Sequence, residues 1–142
     1  MSFKMRKAIF EILDEASQMK TTDERADHLK RHDSQALRYI VEGVFNPDVK
    51  WLLPKGKPPY KLNPIAGSET QLYNFARKLY LFVQGGNDNL KPVRREFLFI
   101  EMLESVHPKD AELLVAMKDK KMPYKGITKS VVKKAFPGMK VE

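Results

Sequence analysis

Cysteine is absent from the 142-residue chain, and that one absence removes disulfides, thiolate nucleophiles and cysteine-based zinc sites together. Long apolar runs are missing as well. The longest, such as Phe97-Leu98-Phe99-Ile100, fall far short of the roughly 20 residues that span a bilayer. The N-terminal Met1-Ser2-Phe3-Lys4-Met5-Arg6-Lys7 carries charge with no apolar stretch behind it, so no secretory signal is expected. These absences predict a cytoplasmic protein with no membrane partner. Catalytic signatures are lacking too: there is no Gly-x-x-x-x-Gly-Lys phosphate loop, no Gly-x-Gly-x-x-Gly, no Gly-x-Ser-x-Gly elbow and no His-Glu-x-x-His helix. No catalytic residue, cofactor or metal is expected, and the protein is read as not an enzyme.

Acidic residues are also missing from one particular stretch. Between Lys50 and Lys61 there are four lysines (50, 55, 57 and 61) and no Asp or Glu. From Lys118 to Glu142 there are eight lysines against Asp119 and Glu142 alone, while the remainder of the chain is close to neutral. The net charge of +8 is therefore held in two blocks. A local block of cations binds a polyanion, whereas the same charge spread evenly only aids solubility.

What is present is mostly helical periodicity. Met5, Ile9, Ile12, Leu13 and Ala16 make one stripe of a helix over roughly 4–19. Thr22 or Asp23 is expected to cap a second helix, with Ala26 and Leu29 inward and an end near His32. Asp33 or Ser34 is expected to cap a third carrying Leu37, Ile40, Val41 and Val44, stopped by Asn46-Pro47. Three prolines and a glycine between Trp51 and Asn63 exclude helix there and predict an extended loop, anchored to the core by Trp51. Ser68 with Gln71 resembles a capping box opening a helix to about Gln84, with Leu72, Phe75, Ala76, Leu79, Tyr80 and Val83 inside. After the Gly85–Asn89 break, Pro92 suits the start of a helix with Phe97, Ile100, Met102, Leu103 and Val106 inward. Pro108 starts the next, and Thr128 caps the last, with Val131, Val132, Ala135 and Phe136 facing in. The expectation is one all-α domain over 1–142, a compact bundle of about seven helices with one long proline-rich loop, and residues 52–67 as a possible subdomain seam.

His28 and His32 are four apart and could form half of a metal site. Their neighbours Lys30 and Arg31 repel a cation, so both histidines are expected on an exposed face of helix two. Glu101 and Glu104 are expected to make surface ion pairs with Arg94 and Arg95 rather than acid–base chemistry. In the second lysine block, Lys118, Lys120 and Lys121, and then Lys133 and Lys134, are attributed to cations complementing helix C-termini. Lys125 and Lys129 lie at a helix start, where a cation is unfavourable, which makes them better phosphate ligands.

Two resemblances accompany these residues. Ala8-Ile9-Phe10-Glu11-Ile12-Leu13, Leu37-Arg38-Tyr39-Ile40, Phe45-Asn46-Pro47-Asp48-Val49 and Lys55-Gly56-Lys57-Pro58 together resemble the N-terminal helical region of phage ATP-dependent DNA ligases. That resemblance implies gripping of a duplex backbone without chemistry, since the Lys-x-Asp-Gly segment of nucleotidyl transferases is missing. The string from Met102-Leu103-Glu104-Ser105-Val106-His107-Pro108 through Lys118-Asp119-Lys120-Lys121 to Tyr124-Lys125-Gly126-Ile127-Thr128-Lys129 is similar to a family of small uncharacterised proteins of T4-like marine phages. That similarity implies the cytoplasm of an infected bacterial host.

The expected function is a non-catalytic phage accessory protein holding DNA, without sequence preference, through backbone phosphates. Lys55, Lys57 and Lys61, with Tyr60 available to stack, form one edge of the expected surface; Lys121, Lys125 and Lys129 form the other. The two segments must meet in space for this to hold. The alternative is a protein-interaction module docking on an acidic surface of a host or phage replication or transcription enzyme, through Leu52-Leu53 or Met122-Pro123-Tyr124.

Overall fold

A hub helix with apolar side chains on most of its faces organises the chain. The computed structural model describes residues 6–65 and 68–141; residues 4 and 5, expected in the first helix, lie outside that range. Seven α-helices are found among the described residues: α1 (Ile9–Ser17), α2 (Thr22–Arg31), α3 (Gln35–Phe45), α4 (Gln71–Phe75), α5 (Pro92–Ser105), α6 (Pro108–Lys118) and α7 (Lys129–Ala135). The all-α architecture matches the expectation. Helix α6 is the hub, burying Ala111, Leu113, Leu114 and Met117 and packing against α1, α3 and α5, while α7 packs on α2 and α2 on α1.

The caps are mostly the predicted ones, displaced by at most a residue. Thr21, rather than Thr22 or Asp23, caps α2 by accepting the Glu24 N–H at 3.1 Å. Ser34 accepts the Leu37 N–H at 3.1 Å, and Thr128 accepts that of Val131 at 3.4 Å. Helix α1 begins differently. Its N-cap residue is Ala8, which has no side-chain acceptor, and the missing cap comes from α6: Asp110 Oδ1 accepts the Phe10 N–H at 2.9 Å.

Trp51 anchors the long loop as expected. Its indole N–H donates to the Gly43 carbonyl at 2.9 Å, and a Cβ at position 43 would come within 2.7 Å of the indole, so only glycine fits there. Among the described residues there is no strand, only an isolated antiparallel bridge between Trp51 and Val83. It is fixed by Leu52 N–H to Phe82 O (2.8 Å) and Gln84 N–H to Lys50 O (2.9 Å).

The region after residue 67 departs from the expected continuous helix. Ser68–Thr70 is 3₁₀, Gln71–Phe75 is α4, and Ala76–Phe82 is 3₁₀ again. The cause is visible in the buried set. Ala76, Leu79 and Phe82 recur at steps of three, the 3₁₀ repeat, which turns Phe82 into the core against Phe99 (5.2 Å, edge-on). Tyr80, expected inside, is left 55% exposed. Helix α5 differs in a similar way: Phe99 is buried, while Phe97, expected inward, is 51% exposed under the Arg94 guanidinium. Arg95 is buried and donates to the carbonyls of Leu81, Asn87 and Leu90, which tethers the turn before α5. The expected surface pairing of Arg95 with Glu101 and Glu104 is therefore replaced by an internal clamp on backbone carbonyls.

Candidate functional site

The two lysine segments are joined at the C-terminal end of α6. Lys118 lies buried there, its ammonium donating to the Pro54 carbonyl at 2.8 Å and to Asp119 Oδ1 at 2.9 Å. Asp119 uses its other oxygen to accept the Gly56 N–H at 3.0 Å. One buried cation and one carboxylate thus pin the first turn of the loop onto the helix end. The far end of the loop is held on α5: Lys61 N–H donates to Glu104 Oε2 at 2.7 Å, and Asn63 Nδ2 to the Ser105 carbonyl at 3.1 Å. Beneath the loop runs a groove of about 280 Å³, lined in part by Leu53, Glu96, Phe99 and Ile100.

This docking sorts the lysines. Lys118 belongs to the loop clamp. Lys120, attributed from sequence to the end of its own helix, instead reaches α3, where its ammonium donates to the carbonyls of Gly43 (2.9 Å) and Asn46 (2.8 Å). Those carbonyls also accept from the Trp51 indole and the Val49 N–H, and burial holds the Lys120 pKa below the usual lysine value. Lys134 pairs with Asp23 at 2.6 Å and Lys140 with Asp48 at 2.8 Å. Lys55, Lys57, Lys61, Lys121, Lys125 and Lys129 are all exposed, and none forms an ion pair among the described residues.

Of these six, Lys55 and Lys57 flank the pinned Gly56. Lys121 is close enough that its charge, behind the Lys118 hydrogen bond and the Gly56 N–H, helps hold the Asp119 carboxyl below its usual pKa against the opposing effect of burial. Burial raises the pKa of Tyr60, with the Glu112 carboxylate adding to it, and raises that of Tyr124 to about 12, with Asp110, Asp14 and Glu112 adding in turn. Lys129 is the first residue of α7, which packs on α2. Tyr60 packs against the core with its hydroxyl buried, and the Lys57 ammonium lies 5.4 Å from its ring centroid. That makes it an anchor of the loop, with little free face for a base. The first segment, free of acids in sequence, is not free of them in space: Glu96 lines the groove beneath it, and Glu104 and Asp119 accept its backbone N–H groups.

A second cluster forms where α1 meets α2. His28 is not on an exposed face as expected but buried, at 6% exposure, with Nε2 3.2 Å from Glu15 Oε1. The His32 ring lies 4.6 Å from that of His28. Lys7 holds the other Glu15 oxygen, and that hydrogen bond outweighs desolvation in lowering the Glu15 pKa. Burial, followed by the nearby cations, lowers that of His32. His107 occupies the turn before α6 as expected, capping it through Nδ1, which accepts the Lys109 N–H at 3.0 Å.

No signal in the sequence could have found Asp119, Glu104 or Glu15, because their partners lie 63, 43 and 13 residues away. No helix among the described residues is long and apolar enough to cross a membrane. No curated protein and no solved structure shows significant similarity to the chain. A family model matches residues 12–124, from within α1 to the Tyr124 that borders the lysine surface. The chain thus belongs to a family of unknown function, DUF6433.

Proposed function

We propose that the protein holds DNA by its backbone phosphates, without catalysis and without sequence preference, as an accessory factor in the cytoplasm of a phage-infected bacterium. The phage setting and the duplex-gripping analogy rest on the sequence resemblances above. The observation that best supports binding is the Lys118–Pro54 and Asp119–Gly56 clamp, which brings Lys55 and Lys57 beside Lys121 on a loop that is already ordered. A pre-ordered cationic loop loses less conformational entropy on binding than a free one. Lys61, Lys125 and Lys129, exposed and outside the ion pairs among the described residues, supply further phosphate contacts, while Tyr60 serves as an anchor of the loop.

Fluorescence anisotropy on a labelled duplex tests this. Binding is expected at low salt, with log K falling by about 0.9 per phosphate contact for each decade of salt. The triple variant Lys55→Gln/Lys57→Gln/Lys121→Gln is expected to flatten that slope by two to three contacts, roughly 1.8–2.7, while Lys133→Gln leaves it unchanged. No binding at low salt, or an unaltered slope in the triple variant, would overturn the reading.

One observation favours the alternative of protein docking, though not at the residues expected. Leu53, Met122 and Tyr124 pack against the core, and Leu52 is 37% exposed. The more prominent apolar side chains are Leu62 and Ile65, at 61% and 69% exposure, just beyond the lysine loop. A stoichiometric protein complex that survives nuclease and is lost in Leu62→Glu/Ile65→Glu would favour that reading.

A further inference from the structure

We propose that Glu15, His28 and His32 form a binding site for a divalent metal ion of the zinc class, joining α1 to α2. The argument begins with helix geometry: residues four apart share a face, so the two imidazoles of α2 project side by side. The tight connection between α1 and α2 then brings Glu15 onto the same spot. One ligand atom from each of the three residues lies within 4.8 Å of the other two. The His28 Nε2 to Glu15 Oε1 separation, 3.2 Å, matches the edge of a tetrahedron built from metal–ligand bonds of about 2.0–2.1 Å. Glu15 and His32 are both partly buried rather than enclosed.

Nε2 is the His28 nitrogen that faces Glu15, while Nδ1, on the other edge of the ring, is buried without a hydrogen-bond partner among the described residues. Lys7 holds the Glu15 oxygen facing away from His28, the kind of outer contact that orients a ligating carboxylate. Two imidazoles select zinc, cobalt or nickel over calcium and magnesium, which prefer oxygen. Lys7, Lys30 and Arg31 oppose a dication, so affinity is expected on the order of 1 μM rather than that of a four-ligand structural site.

The test is titration of tag-free protein with Co(II), read from its visible d–d bands and followed by displacement with Zn(II). One equivalent of Co(II) is expected to give the intense spectrum of a tetrahedral ion, and Zn(II) is expected to raise the thermal midpoint. Glu15→Gln and His32→Ala are expected to weaken binding at least tenfold, while His107→Asn, which retains a capping acceptor, leaves the spectrum unchanged. Circular dichroism of each variant separates lost ligation from lost folding. His32 is partly exposed, so His32→Ala should keep the fold. A Co(II) spectrum equal to that of the aqueous ion, or unaltered binding in a folded His32→Ala, would overturn the proposal.

Discussion

Asp110 is the residue whose chemistry departs furthest from the ordinary. It is fully buried in the first turn of α6, with Oδ1 accepting from Phe10 and Oδ2 unpartnered among the described residues. Desolvation pushes its pKa up to about 7; the Phe10 hydrogen bond opposes this, and Glu11 and Glu69 add to it. A carboxyl raised in the folded state binds a proton that the unfolded chain has released. Its stabilising contribution is complete below about pH 4 and is lost as pH rises through about 7. The span corresponds to at most ~4 kcal/mol. Thermal melts from pH 5 to pH 8 should therefore show wild-type stability falling relative to Asp110→Asn, which keeps an acceptor for Phe10 and has no charge to bury. Parallel profiles would show that Asp110 titrates normally. Asp110 was not legible as a cap, because an acid in the first turn of a helix is the usual complement to that helix's own dipole. Nothing local says that it serves another helix.

At the scale of elements, the loop over residues 52–63 is held by few contacts, and Lys118 is central among them. Lys118→Met keeps the apolar stem but removes the ammonium shared by Pro54 and Asp119. A cost of about 2–3 kcal/mol is expected, from the Pro54 carbonyl and one Asp119 oxygen left without their donor. Local opening of the loop should rise with it. Trypsin cleavage after Lys55 is expected to accelerate about tenfold for each 1.4 kcal/mol of lost local stability, and DNA affinity to fall although no exposed lysine has been removed. Unchanged cleavage would mean that the loop is held by Trp51 and the α5 contacts alone.

Helix boundaries were legible at this scale because caps and prolines act within four residues of themselves. The 3₁₀ segment was not. Ala76, Leu79, Tyr80 and Val83 satisfy the α repeat as well as Ala76, Leu79 and Phe82 satisfy the tighter one, and only the position of Phe99 decides between them. The inward turn of His28 was hidden for a related reason: α2 is polar overall, and its burial depends on α1 and α7 covering it.

For the whole molecule, the charge of +8 is less available than its sequence distribution suggests. The two-block partition was legible, since it needs only counting. The engagement of Lys118 and Lys120 with backbone carbonyls was not, because Lys120 reaches back 77 residues to Gly43. Lys55, Lys57, Lys61, Lys121, Lys125 and Lys129 stay exposed and outside the ion pairs among the described residues, and on the proposed reading these are the cations a polyanion would meet. Ligation there stabilises the whole fold by mass action: duplex at about one hundred times its Kd should add about 2.7 kcal/mol. That corresponds to a rise in thermal midpoint of roughly 5–10 °C, and the rise should vanish at high salt. A salt-independent rise would point to contacts other than phosphate.

The Asp110–Phe10 hydrogen bond also bears on how the chain is made. Its partners are 100 residues apart, so on the ribosome α1 emerges long before the carboxylate that completes its first turn. Until α6 has left the tunnel, the nascent α1 lacks the acceptor for its Phe10 N–H and the part of its packing that α6 supplies. The last third of the polypeptide thus completes the first helix.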